Sequence, residues 1–365
     1  MRQVQITGPG NLRVVEAAPP RLAPGWARLR MVACGVCRTD SYLLDGSILP
    51  PGAEYPLVPG HEVAAVVTEI AGPAGTAGPG PSGNGPSGDG SAGDEPTEDG
   101  VAVGDLVLPH LLAPCGSCTA CRAGQEQRCE RCPVLGIQAP GGLADELTWP
   151  ASRLISAAGL DPVRAAVLPD AGATAYHALR VAAVPPGGLL VVTGAGGVGT
   201  HVLRIARALD PSARLAAVVR SAATAQRLAA LGVPAIEGLA GAAKRLRGQA
   251  GQADAVIDFS GSPETPPEAV RMLRPGGRLV LGSVVRGDLH LGWIAPFASR
   301  EITVTGVYSS TLDDLRQVVA LARDGALDLT GSVTHSVPLA RAAEAFGLME
   351  RRPPGMVRVV VEPGT

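Results

Sequence analysis

With 365 residues, 46 % of them hydrophobic, the chain is long enough for two domains with real cores; at 3 % aromatics those cores must be built from Ala, Val and Leu. A formal net charge of −2 gives no footprint for nucleic acid or an acidic membrane surface, and no apolar run approaches the about 18 residues of a membrane span. The start Met1-Arg2-Gln3-Val4 lacks the apolar core of a secretory signal, so a cytoplasmic address is expected, and seven clustered Cys point to metal before disulfide.

Residues 1–33 alternate apolar and polar, as in Ala27-Arg28-Leu29-Arg30-Met31-Val32, and read as antiparallel strands with Pro/Gly turns. Cys34-Gly35-Val36-Cys37-Arg38-Thr39-Asp40 follows, and Pro59-Gly60-His61-Glu62 leads into a strand from Val63 to Ile70. Residues 71–100 hold no Val, Ile or Leu and five acidic but no basic residues, so this segment is expected to be a disordered surface insertion. Order resumes at Val101–Leu108, and Cys115, Cys118, Cys121 and Cys129 come next. Residues 143–150 read as a strand, and from Pro162 the pattern turns helical. Strands are then expected at Leu189–Thr193, Leu215–Val219, Ala255–Phe259, Arg278–Gly282 and Ile302–Val307, with helices at Ala222–Leu231 and Glu268–Leu273 between them. This alternation predicts a doubly wound parallel sheet. A helix at Leu312–Arg323 and a β segment at Met356–Val361 close the chain.

Three constellations carry chemistry. Leu189–Thr193 runs into Gly194-Ala195-Gly196-Gly197-Val198-Gly199 and then into a helical pattern. Gly194 permits the tight turn, Gly196 lets backbone approach a pyrophosphate, and Gly199 lets helix and strand pack closely, with the helix N-terminus favouring the anion. The alternative is an ordinary Gly-rich turn in a chain of 48 glycines. Cys115, Cys118, Cys121 and Cys129 place four thiolates on one compact loop, the donor set of a closed structural zinc site. A redox pair or a vestigial loop is the alternative, and Cys132 reads as a spare thiol. Cys37, His61 and Asp170 are dispersed, as the three ligands of an open, catalytic zinc often are. Taken singly they are a loop histidine and a small buried residue, and Cys34-x-x-Cys37 could be a redox pair.

Gly35-Val36-Cys37-Arg38-Thr39-Asp40, Gly60-His61-Glu62, the four-cysteine loop, Asp170-Ala171-Gly172-Ala173-Thr174-Ala175-Tyr176 and the Gly194–Gly199 turn stand in the order seen in zinc-dependent alcohol dehydrogenases, within the medium-chain dehydrogenase/reductase superfamily. The resemblance spans nearly the whole chain except 71–100. It implies a GroES-like, mainly-β catalytic domain from 1–155 and 310–365 and a Rossmann cofactor domain from 156–309. It implies Cys37, His61 and Asp170 as catalytic zinc ligands, Asp170 standing where many members carry Cys. Glu62 resembles the carboxylate that can approach the metal, Asp40 the acid that orients His61, and Thr39 the hydroxyl that passes the alcohol proton outward. Five residues after Cys37, Tyr42 replaces the His that ends the proton relay in better-known members. A phenol of pKa about 10 is a poorer base near neutrality. Arg38, Thr174, Gly194, Gly196, Gly197, Val198 and Gly199 fall at cofactor-binding positions.

The second strand ends at Val219-Arg220-Ser221, with no acid for a ribose diol and with Arg220 able to pair with a 2′-phosphate. NADP is therefore expected over NAD. Together these readings predict an oxidoreductase moving a hydride between an alcohol, or its aldehyde or ketone, and a nicotinamide cofactor. It is expected to carry two zinc ions per subunit and to act as a homodimer or homotetramer. The alternatives are a polyol, sugar or biosynthetic-intermediate dehydrogenase, or a zinc-stabilised NADP-binding scaffold without turnover.

Overall fold

The computed structural model describes residues 1–72 and 100–364, which form a hairpin and two larger sheets. The insertion expected at 71–100 lies, apart from its margins, outside the described residues. β1 (Arg2–Gly8) and β2 (Asn11–Glu16) pair antiparallel. β3 (Trp26–Val36) buries Ala27, Leu29 and Met31 on one face, the period-2 pattern that its alternation predicts, and after a register shift turns Ala33 to the other core. α1 (Arg38–Asp45) starts where Asp40 Oδ2 accepts the Cys37 N–H at 2.8 Å, and stops at Gly46 in the left-handed region. β4 (Glu62–Ile70), β5 (Leu106–Pro109), the short helix α2 (Thr119–Arg122), β6 (Glu146–Pro150) and β7 (Leu154–Ser156) follow. This sheet runs antiparallel through β3, β4, β5 and β7, with β6 also on β3.

The chain then crosses over through α3 (Pro162–Ala165), a π turn at Leu168–Gly172 and α4 (Ala173–Ala182). The second sheet alternates strand and helix: β8 (Leu189–Thr193), α5 (Gly197–Leu209), β9 (Arg214–Val219), α6 (Ala222–Ala230), β10 (Ala235–Glu237), α7 (Ala242–Gln249), β11 (Ala253–Asp258), α8 (Thr265–Met272), β12 (Leu273–Leu281), α9 (Ile294–Ser299) and β13 (Thr303–Gly306). All its pairs are parallel, in the order β10-β9-β8-β11-β12-β13, which is the doubly wound Rossmann arrangement. β8 is buried at every residue, as a central parallel strand covered on both faces must be. α10 (Leu312–Arg323) opens on a capping box of Thr311 and Asp314. β14 (His335–Pro338), α11 (Ala342–Arg351) and β15 (Val359–Glu362) return to the first sheet, where β15 pairs with the Cys34–Val36 end of β3. The cores are largely Ala, Val and Leu, with Trp149 the largest fully buried side chain. Among the described residues no helix is long and apolar enough to cross a membrane.

Candidate metal and dinucleotide sites

The C-terminal end of β3, the start of β4 and the π turn at Leu168–Gly172 meet. There the ligand atoms of Cys37, His61, Glu62 and Asp170 lie within 4.8 Å of one another. Cys37 Sγ is 3.5 Å from Asp170 Oδ2, and His61 Nε2 is 3.8 Å from the same oxygen. Asp40, fully buried, accepts Gly60 N–H at 3.1 Å and faces His61 Nδ1 at 3.5 Å, so it lies on the Nδ1 side of the imidazole. Burial opposes a charged His61 ring, but Asp40 and Cys37 outweigh it and hold its pKa well above the ordinary value. Glu62 is pushed up to about 8, mainly by burial, with Arg358 pulling down and Asp170 pushing up. One soft thiol, one imidazole and two carboxyl groups gathered out of water form a donor set that calls for a divalent cation and fits zinc. Cys34 stands apart from this set, its thiol at Gly35 O (3.6 Å), so no Cys34–Cys37 pair forms.

The thiols of Cys115, Cys118, Cys121 and Cys129 form a second group within 4.8 Å. Cys115 and Cys121 Sγ are 4.0 Å apart, and Cys118 and Cys121 Sγ 3.4 Å. Tetrahedral sulfur around zinc at about 2.3 Å requires separations of about 3.8 Å. Backbone N–H groups of Ser117 and Cys118 hold the Cys115 thiol down at about 5, while burial and the neighbouring thiols push Cys121 up to about 12. Cys132 is outside the group, its thiol at Pro133 O (3.9 Å).

At the phosphate loop, Gly194 has φ +80, and a Cβ there would fall 2.4 Å from the Ser260 backbone. A Cβ on Gly199 would meet Gly194 O at 2.3 Å, so both positions require glycine. Gly196 faces open space and caps α5, which begins at Gly197-Val198, leaving room for an anion at the helix start. Val219 is buried at the end of β9; Arg220 and Ser221 are exposed. Ser221 caps α6 by accepting Thr224 N–H at 3.4 Å. Thr174, buried, gives its hydroxyl to Asp170 Oδ1 at 3.3 Å, which places it behind the metal group. Thr39 is half-buried beside Cys37 and Asp40, and Tyr42 faces Arg38, whose guanidinium carbon is 5.2 Å from the ring centre.

Two arginines that sequence reasoning missed complete the picture. Arg358, 5 % exposed, pairs with Glu62 and lies 3.5 Å from Asp170 Oδ2. Its Nε is buried without a partner, and a Cβ on Gly197 would fall 2.8 Å from its Nη1. One side chain thus touches the metal group and the phosphate loop, and its orphaned donor fits a phosphate oxygen. The signal was present as a lone charge in the apolar run Met356–Val361. Arg352 sits in the left-handed region (φ 46) at the end of α11, which packs on α1. Burial, then the charges of Arg38 and Arg220, hold its pKa below the ordinary arginine value. Among the described residues none of Arg38, Arg220 and Arg352 has a carboxylate partner. No signal separates Arg352 from thirty arginines in the sequence.

Comparison with known proteins agrees with this geometry. The family model of the alcohol dehydrogenase GroES-like domain matches residues 23–159, and that of the zinc-binding dehydrogenases matches 197–324. The chain is 29 % identical over 324 residues to L-galactonate-5-dehydrogenase of Escherichia coli, covering 88 % of this chain and 86 % of that one. It is 28 % identical over 344 residues to an alcohol dehydrogenase of Geobacillus stearothermophilus, covering 93 % and 92 %. Among solved structures, the cobalt- and zinc-bound thermostable alcohol dehydrogenase of Pyrobaculum aerophilum superposes with a TM-score of 0.80 at 29 % identity, covering 100 % of this chain and 99 % of that one.

Proposed function

Because the chain belongs to the zinc-dependent alcohol dehydrogenases of the medium-chain dehydrogenase/reductase superfamily, and so passes a hydride between an alcohol and a nicotinamide cofactor, we propose how its own residues divide that work. Cys37, His61 and Asp170 hold the catalytic zinc, and Cys115, Cys118, Cys121 and Cys129 hold a second, structural ion. The observation that carries this reading is the meeting, within 4.8 Å, of ligand atoms from residues as far apart as Cys37 and Asp170. Zinc at such a site supplies Lewis acidity, which makes an alcohol easier to deprotonate.

The chain's residues do the rest. Asp40 fixes the ring of His61 so that Nε2 points at the ligand group. Thr39, half-buried at the start of α1, takes up the alcohol proton and passes it outward. A phenol is a poorer base near neutrality than an imidazole, so water rather than Tyr42 completes that path. Arg358 would compete with a bound metal for Glu62 while offering its unpartnered Nε to the cofactor's phosphates. The glycine turn and Arg38 bind the pyrophosphate.

NADP is the preferred cofactor in this reading. Val219 offers no carboxylate, and Arg220 and Arg352 form an unneutralised pair beside Arg38. Such a cluster is stabilised by a bound dianion. We draw the catalytic unit as 1–155 with 310–365 and the cofactor unit as 156–309, because β14 and β15 join the first sheet and β8–β13 the second. The edge strand β13, with Trp293 and Ile294 at 85 % and 83 % exposure on the segment before it, suits a two-fold contact between subunits in a dimer or tetramer. Seven free thiols suit a reducing, cytoplasmic compartment. The relation to L-galactonate-5-dehydrogenase favours a polyol or sugar acid as the competing substrate class.

Metal analysis together with a panel of simple alcohols, polyols and sugar acids, each with NADP and NAD, tests the reading. Two zinc ions per chain and a higher kcat/KM with NADP support it. One ion per chain, or none at Cys37, His61 and Asp170, refutes the ligand assignment.

A further inference from the structure

The 3-10 turn Glu126–Arg128 lies between two of the clustered thiols, Cys121 and Cys129, and reaches α4 and the start of α10. Glu126 accepts two bonds from Arg153, at 3.0 and 2.7 Å, and the Leu312 N–H at the start of α10 at 2.6 Å. Arg153, itself buried, also donates to Leu112 O at 3.0 Å and to His110 Nδ1 at 2.7 Å. The far nitrogen of that buried ring meets Ser310 Oγ at 3.2 Å. Burial, then Arg153, push the His110 pKa down to about 3, so the ring is neutral and can accept at Nδ1 while donating at Nε2.

Gln127 makes the second connection. Its Nε2 is 3.4 Å from His177 Nε2 on α4, and His177 Nδ1 donates to Asp314 Oδ2 at 2.8 Å. Asp314 also accepts Arg180 at 2.7 Å and Thr311 N–H at 2.9 Å, which ties α4 to the start of α10. α4 continues without a break from the π turn that carries Asp170, and Thr174 in its first turn donates to Asp170. The cysteine turn itself has almost no core, since Cys129 is its only buried residue between Cys115 and Cys132. A segment of that kind keeps its shape through its metal ligands.

Resting on the reading of Asp170 as a catalytic-metal ligand, we propose that Glu126 and Gln127 are positioning residues. The four-cysteine turn, once it grips its ion, holds α4 and the start of α10 in register, and through them the Asp170 carboxylate. The cysteine turn therefore serves turnover as well as stability, because small displacements of a reacting group carry large rate costs.

The test uses the holoenzyme, Gln127→Ala and Glu126→Gln, each with zinc and with cobalt at the Cys37, His61 and Asp170 group. Gln127→Ala is expected to keep both ions and its fold. Its amide exchange over 168–182 should quicken at least about threefold. The cobalt absorption bands should shift, and kcat should fall about tenfold while the alcohol KM moves less than about twofold. Glu126→Gln should do the same, with faster exchange extending over 308–316; if it fails to fold, Gln127→Ala carries the test. Unchanged exchange and an unchanged cobalt spectrum in Gln127→Ala with both ions bound overturn the proposal. A parent enzyme that takes no ion at the Asp170 group overturns instead the ligand reading beneath it.

Discussion

Arg358 shows how one side chain can join two binding tasks. Its guanidinium is pinned by Glu62 and lies against Gly197, so there is no room for a methyl group on that glycine. Gly197→Ala is expected to press on Arg358 and raise the cofactor KM about tenfold, with a smaller change in kcat. Steady-state kinetics with varied cofactor checks this. Arg352 and Arg220 make a separate demand. Removing either from an unneutralised trio should relieve repulsion in the free protein while costing a charge-assisted bond to a 2′-phosphate. In both Arg352→Ala and Arg220→Ala the ratio of kcat/KM for NADPH to that for NADH should fall at least about tenfold, a step of about 1.4 kcal/mol. An unchanged ratio removes that arginine from the cofactor site. Asp170→Ala should lose turnover while still binding the cofactor, as followed by quenching of nucleotide fluorescence.

The helices α4 and α10 depend on a few polar anchors. Asp314 caps α10 and binds His177 and Arg180 of α4, all from a fully buried position. Burial would raise its pKa, but His177, Thr311 and Arg180 prevail and hold it down at about 2. A carboxyl whose folded pKa lies below its unfolded value of about 3.9 stabilises the fold above that value, and the gain is lost as pH falls from about 4 to about 2. The contribution is on the order of 1–2 kcal/mol once solvent screening on the exposed Arg180 side is allowed for. Asp314→Asn should therefore be less stable than the parent at pH 7, and the gap should close toward pH 2 in urea titrations. The regular elements were the legible part of the sequence. β8 and α10 begin and end where the pattern predicts, because β8 is an unbroken apolar run that ends at a glycine turn and α10 has a helical apolar period that opens on a capping box. β12 starts five residues earlier than the expected Arg278, at Leu273, since its Pro275-Gly276-Gly277 stretch carries no strand pattern of its own. β10, β14 and α11 were not foreseen: two are very short strands, and the helix carries charge at both ends. The Cys, His and Asp residues whose donor atoms gather within 4.8 Å are rare types at telling spacings and could be singled out in the sequence. Arg352 could not, because it comes near Arg38 only when α11 packs on α1.

At the scale of the whole molecule, the two sheets share an apolar cluster in which Ala33, Ala64 and Leu108 of the first meet Leu190 and Val192 of the second, and the segment before the edge strand β13 carries exposed apolar residues. If, as proposed, β13 lies at a two-fold contact, Trp293→Glu should leave a 36.9 kDa species in sedimentation velocity, with little change in unfolding midpoint per chain. Two buried histidines, His110 and His201, are held neutral by burial, with pKa values pushed down to about 3 and about 4. Each stays unprotonated in the fold while an unfolded chain protonates below about pH 6.5, so stability should decline as pH falls from about 6.5 to about 4. His201→Asn should flatten that slope relative to the parent, a difference in which the metal-linked part cancels.

The position of Arg358 so late in the chain has a consequence for synthesis. Cys37, His61, Glu62 and Asp170 all leave the ribosome before the cation that will pair with Glu62, since Arg358 comes with the final strand, β15. At about 5–20 residues per second, the stretch from Asp170 to Arg358 takes roughly 10–40 s to translate. During that interval the nascent chain has His61 beside Asp170 but lacks the partner of Glu62, and a divalent ion can take that place. Metal capture is therefore expected to precede completion of the polypeptide. Ribosome-stalled chains ending near residue 330 should retain zinc through washing, and the same chains bearing His61→Ala should retain less.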